Sequence, residues 1–85
     1  MKISYSKNFI KQSKKLNPSV KNQLIQRITL FSTNPLNPQL RDHPLKGRYK
    51  HYRSIDITGD WRALYLLRGE EAVVDIIGTH SQLYG

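Results

Sequence analysis

The sequence predicts an α+β fold in the order β-α-α-β-β-β, a helical hairpin packed on a small, mainly antiparallel, twisted sheet. Three observations carry this. The chain has 85 residues, enough for one modest core and one domain spanning residues 1–85. Helical periodicity fills residues 6–32 and is interrupted only at Asn17-Pro18. From Tyr49 onward, stretches of strand character are separated by tight-turn signals.

Taken in order, Met1–Tyr5 alternates Ile3 and Tyr5 with polar neighbours and fits a short strand. Ser6 suits an N-cap, because its hydroxyl can accept from an unpaired first-turn amide. The helix from Lys7 to Leu16 carries Phe9, Ile10 and Leu16, with Ser13 on the same side, as a thin apolar stripe on a basic helix. Asn17 caps the next helix, and Pro18 at its first position loses nothing, since that amide has no partner anyway. Val20, Leu24, Ile28 and Phe31 then recur at helical spacing to about Ser32, with Ile25 beside them. Asn34-Pro35-Leu36-Asn37-Pro38 ends the helix in an extended connector. Tyr49–Ile57 reads as a strand with Arg53, Ile55 and Ile57 on one face and Tyr52, Ser54 and Asp56 on the other. Thr58-Gly59 turns the chain into a strand over Asp60–Arg68, and Arg68-Gly69-Glu70 turns it again into Ala72–Ile77. That last strand is nearly continuously apolar and so internal. The tail from Gly78 fits one helical turn or an edge segment.

The net charge is +8 and the pI about 10.1, a surplus that suits a polyanion or an acidic partner. Its distribution is uneven, because all six acidic residues lie from Asp42 onward. There is no cysteine, which excludes disulfides, thiol catalysis and cysteine-held zinc. No secretory segment and no apolar run of membrane length is visible, so a cytoplasmic protein without membrane partners is expected.

The chemistry concentrates between Asp42 and Trp61 and in the tail. Histidines stand at 43, 51 and 80 without the spacing of a metal cluster, so no metal or other cofactor is expected. A histidine titrates near neutral pH and can give or take a proton. A single one is more commonly a surface or structural residue. Asp60 reads either as a turn cap or as a proton acceptor or orienter, and Trp61 either as core or as part of a base-stacking surface. Lys46, Arg48, Lys50, Arg53 and Arg62 interleave with Tyr49 and Tyr52. Such a mixture suits RNA, where cations hold phosphate and rings stack on bases. The plainer reading is a solvated charged face, and the acid-free first half favours nucleic acid.

Asp42-His43-Pro44-Leu45-Lys46-Gly47, Lys50, Tyr52-Arg53, Asp60-Trp61, Tyr65, Gly78-Thr79-His80 and Leu83-Tyr84-Gly85 together resemble the YafQ branch of the RelE/ParE toxin superfamily. The resemblance covers nearly the whole chain, and the element order fits that superfamily's fold. It implies a toxin of a type II toxin–antitoxin system, a ribosome-dependent, metal-independent endoribonuclease that cuts mRNA in the ribosomal A site. It implies a cognate antitoxin with an acidic toxin-binding segment, and contact with operator DNA only through the antitoxin complex. By the family's pattern His43, Asp60 and His80 are acid–base residues, and Trp61 and Tyr84 line the site. His80 then serves as general acid and His43 as base, with Asp60 sharing that role or fixing a tautomer, and the acid and base roles are interchangeable. The chain departs from the pattern twice. Asp56 stands where a histidine is common and Ile76 where an arginine is common, which leaves the developing phosphorane charge to Arg53, Arg62 or Arg48. Two other readings fit less of the sequence. A ParE-like gyrase poison needs no histidines at 43 and 80, and a non-catalytic RNA- or ribosome-binding module rests mainly on Ile76.

Overall fold

The computed structural model describes residues 1–84. Gly85, which closes the terminal motif, lies outside the described residues. The elements are β1 (Lys2–Tyr5), α1 (Lys7–Ser13), α2 (Pro18–Thr33), β2 (His43–Pro44), β3 (Arg53–Asp56), β4 (Trp61–Arg68), β5 (Glu71–Thr79) and α3 (His80–Tyr84). They form one five-stranded sheet in the order β1-β5-β4-β3-β2, in which only β1, lying against β5, is parallel to its neighbour. The expected α+β order holds, and β5 is internal as its apolar run requires.

The helical hairpin forms for the reasons its sequence gives. Ser6 Oγ accepts from Phe9 N at 3.0 Å, and Asn17 Oδ1 accepts from Val20 N at 3.0 Å. The first helix stops at Ser13, earlier than periodicity predicts, and the chain tightens there into three-residue turns, with Lys15 N donating to the Gln12 carbonyl and Leu16 N to the Ser13 carbonyl. Leu16 then sits in the turn, buried between the helices' ends. One face of the sheet supplies Ile55, Ala63, Tyr65, Ala72, Val74 and Ile77, and these pack against Phe9, Val20, Leu24 and Phe31 of the helices. Ile10 and Ile25 point away from this core and are exposed.

Two further segments differ from expectation. His43–Pro44 is a two-residue edge strand paired with β3, too short to show alternation in the sequence. Residues 49–52 are not strand. Gly47 adopts φ +67°, a conformation that costs glycine little, and starts a tight turn over Gly47–Tyr49. The loop is closed by Leu45 N donating to the Tyr52 carbonyl, which lifts residues 46–51 off the sheet. The tail forms α3, the helical alternative.

A bulge in β5 ties this loop down. Tyr65 pairs with Val74 while Leu64 pairs with Ile76, so Asp75 is an extra residue with no partner on β4. Its carboxylate accepts from the Tyr52 hydroxyl at 2.6 Å, and its carbonyl accepts from Ser6 Oγ and Asn8 Nδ2. That hydrogen bond, together with burial, pushes the Tyr52 phenol up to about 12. Burial, and then the Asp42 carboxylate, raises Tyr65 in the same direction. An unfolded tyrosine releases its proton near pH 10, before the folded protein does. Stability from Tyr52 is therefore full below pH 10 and lost as the pH rises from there through about 12. A Tyr52→Phe variant is expected to show a lower Tm at neutral pH but a shallower fall across that alkaline window. Equal slopes in the two proteins, read from thermal melts, would remove Tyr52 from the account.

Candidate active site

Strand alternation places Ser54 and Asp56 of β3 on the sheet face opposite the helical hairpin, together with Arg62 and Leu64 of β4. The β2–β3 register pairs His43 with Ser54 and so brings His43 to the same face. β5 runs directly into α3, whose first residue is His80, and the His80 amide donates to the Asp60 carbonyl at 2.9 Å. Leu83 of α3 is buried against Gly78, where an added Cβ would stand only 3.2 Å from the leucine side chain. This close approach seats α3 over the sheet and leaves His80 and Tyr84, one helical turn apart, facing the same way.

The result is a polar cleft of about 190 Å³ lined by Arg41, His43, Asp56, Arg62, His80 and Tyr84. Each side chain is held. His43 Nδ1 lies 2.7 Å from the Arg41 carbonyl, which can only accept, so Nδ1 carries the proton and Nε2 keeps the lone pair of the neutral ring. Arg41 itself is in the left-handed region, at φ +48°, which turns that carbonyl toward His43. The His80 and Tyr84 rings meet edge to face at 4.9 Å, and Tyr84 meets Tyr49 of the 46–51 loop at 6.3 Å. Tyr49 in turn lies 6.0 Å from Tyr52, the residue anchored on Asp75.

Arg62 is the most constrained group. Its Nε bonds Asp56 Oδ1 at 3.0 Å, its Nη1 bonds the Thr58 and Trp61 carbonyls, and its Nη2 bonds the Gly59 carbonyl at 3.1 Å. Both Arg62 and Asp56 side chains are only 14% exposed. A single N–H on Nη2 is left without a partner among the described residues. Arg41 Nε approaches Asp56 Oδ2 at 3.6 Å from the other side. Two guanidiniums around one carboxylate leave the cleft with surplus positive charge.

Of the residues expected from the sequence, His43, His80, Tyr84 and Arg62 are brought together. Trp61 lies outside this cleft, half-buried against the core. Asp60 sits at the turn, exposed, and its carboxylate does not line the cleft. The turn is capped instead by Thr58, whose hydroxyl accepts from the amides of Asp60 and Trp61. Arg53 falls on the opposite sheet face, paired with Tyr65 and bonded at 3.0 Å to Asp42, so alternation separates it from the cleft it was expected to serve. Lys46, Arg48 and Lys50 are exposed on the loop that carries Tyr49, with Arg48 over the Tyr49 ring at 5.2 Å. His51 is exposed on that loop and does not line the cleft. Arg41 and Asp56 are the two cleft residues that the sequence reading did not assign to the site.

Comparison with known proteins shows the class to which this small basic fold and its cleft belong, the toxins of type II toxin–antitoxin systems. The chain matches the family model described as "Bacterial toxin of type II toxin-antitoxin system, YafQ" over residues 1–85, and it belongs to that family. It is similar to the mRNA interferase toxin YafQ of Escherichia coli K12, 31% identical over 81 residues, covering 95% of this chain and 88% of the relative. It also resembles the crystal structure of YafQ from E. coli BL21(DE3), with 33% identity and a TM-score of 0.80, covering 98% of this chain and 97% of the other. YafQ in the E. coli DinJ–YafQ complex superposes with a TM-score of 0.72 at 32% identity, covering 98% and 97% of the two chains.

Proposed function

We propose that this YafQ-family toxin cuts mRNA in the ribosomal A site by acid–base catalysis, and that His43, His80, Arg41 and Arg62 carry the reaction. The observation behind this is the convergence of two histidines and two guanidiniums in one cleft. The family and the curated relatives make the chain an endoribonuclease of the mRNA interferase class. His43 Nε2, left free by the bond at Nδ1, takes the proton of the ribose 2′-hydroxyl. The 2′-oxygen attacks the adjacent phosphorus, and the negative charge of the phosphorane falls to Arg41 and to the remaining N–H of Arg62. His80 protonates the departing 5′-oxygen, leaving a 2′,3′-cyclic phosphate. Asp56 holds both guanidiniums in place. Tyr84 orients His80 through the ring contact, while Lys46, Arg48 and Lys50 take flanking phosphates.

The antitoxin reading rests on the DinJ–YafQ complex and on this chain's charge. The cognate antitoxin presents an acidic segment to the basic surface, and operator DNA is met only through that complex. The protein works in the cytoplasm, where its ribosomes are, and no helix among the described residues is long and apolar enough to cross a membrane.

The test is primer extension on an inducible reporter mRNA, with and without a functional start codon. In-frame cuts that appear only on the translated message support the reading. Growth arrest with intact message overturns it.

Gly78 offers a finer check. Its added Cβ would crowd Leu83 and Gln82 Oε1, at 3.2 and 3.3 Å, and push α3 away by a few tenths of an ångström. Gly78→Ala is expected to slow cleavage roughly tenfold by misplacing His80. A single-turnover rate equal to wild type would show that α3 accommodates the methyl group without moving His80.

A further inference from the structure

A second concavity, of about 620 Å³, lies between α1 and α3 along β5. β1 pairs with β5 only as far as Val74, so residues 75–79 lack a partner strand on that side. Side chains stand in for it. Gln12 Oε1 accepts from Ile77 N at 2.9 Å, and Gln82 Oε1 accepts from Thr79 N at 2.8 Å. These bonds fix both amides, so each turns its NH2 away from the strand. Asn8 Nδ2 donates to the Asp75 carbonyl at 3.0 Å, which leaves Asn8 Oδ1 as an oriented acceptor. All three residues line the concavity, together with Lys15, Trp61 and Tyr49. α3 divides this groove from the cleft, with Gln82 and Leu83 on one side and His80 and Tyr84 on the other.

We propose that the groove is a second RNA subsite, taking one unstacked nucleotide whose neighbour along the strand occupies the cleft. This rests on the ribonuclease reading of the cleft. The chemistry fits a nucleotide: flat rings for stacking, two fixed NH2 donors and one acceptor for a base edge, and a lysine for phosphate. The volume is that of a small-molecule site, which runs from about 300 to 1,000 Å³. Tyr49 lines the groove and contacts Tyr84 of the cleft, so the two pockets share a wall. An added peptide strand fits less well, because the Ile77 and Thr79 amides are already satisfied. Among the described residues no acidic side chain lines the groove.

Trp61 is the chain's single tryptophan, so its fluorescence reports on this groove. His80→Ala protein, used to prevent cutting, is titrated with uridylate and adenylate hexanucleotides. Saturable quenching of Trp61 is expected. Lys15→Gln, at an exposed position, should weaken binding roughly fivefold and lower the slope of log affinity against log salt by about 0.7. Arg41→Ala should reduce affinity while leaving the quench at saturation intact. Quenching that ignores Lys15 but vanishes with Arg41 would overturn the proposal, as would quenching by an acidic peptide and not by RNA. The two readings fail differently. If the groove assignment is wrong, the reporter is still cut while Trp61 stays silent. If the nuclease reading is wrong, Trp61 is quenched and the reporter stays whole.

Discussion

Replacing His80 with alanine is expected to lower cleavage by about 100- to 10,000-fold and to abolish growth inhibition, the range a positioned general acid contributes. The fold should survive. His80 is exposed, and its ring touches Tyr84 rather than the core, so stability should change by no more than about 0.5 kcal/mol. The variant thus separates cutting from binding. Its melting curve and its affinity for ribosomes should match wild type, while reporter mRNA stays whole. A variant that still arrests growth with uncut message would make binding itself the toxic act. A pH–rate profile adds a second reading, since a histidine acid and a histidine base together give a bell and loss of either removes one limb.

Arg62→Ala is expected to damage both rate and stability. The guanidinium bonds the Thr58, Gly59 and Trp61 carbonyls, and also Asp56, whose side chain is only 14% exposed. Removing it takes the guanidinium donor from the Thr58 and Gly59 carbonyls, while the Trp61 carbonyl keeps the Ile57 and Thr58 amides, and it leaves Asp56 with Arg41 alone, at 3.6 Å. Loss of one partner of a largely buried pair should cost about 2 kcal/mol here, since some water reaches the site. For a domain of this size that is near 10 °C in Tm. Loss of a preorganised donor to the phosphorane should cost a further 100-fold or more in rate. Asp56→Asn placed in the same protein discriminates the two effects. It removes a largely buried charge left with one distant partner and should restore part of the Tm, but it should restore none of the rate. Recovery of both would make Arg62 a purely structural residue.

The site was partly legible in the sequence. His43 and His80 stood out because motifs mark them, and the structure brings both to one cleft. A two-residue Thr58-Gly59 turn would set Asp56 opposite Trp61; the hairpin instead closes between Ile57 and Trp61 with three residues between them, which sets residue 56 opposite residue 62. The same count sets Arg53 opposite Tyr65, on the other face. Arg41 was out of reach, because its place depends on a left-handed residue after a short turn, a conformation that arginine rarely signals. Trp61 and Asp60 are neighbours in sequence, but the strand begins between them, so one packs on the core and the other stays on the turn. The strand over 49–52 failed because Gly47 and the Leu45–Tyr52 closure override local β character, which tertiary context commonly does.

The sheet order has a consequence for how the protein is made. β5 lies between β1 and β4, so the penultimate element of the chain is the strand that joins the first element to the rest. During synthesis the N-terminal segments emerge first and ordinarily begin to fold first. Here β1 has no neighbour to pair with until residues 71–74 arrive, and the helical hairpin has only part of its floor. Loop closure across nearly the full length precedes any complete core. Residues 71–84 also carry α3 and His80. The cleft therefore forms only once β5 has docked between β1 and β4, because that strand carries α3 and His80 into place.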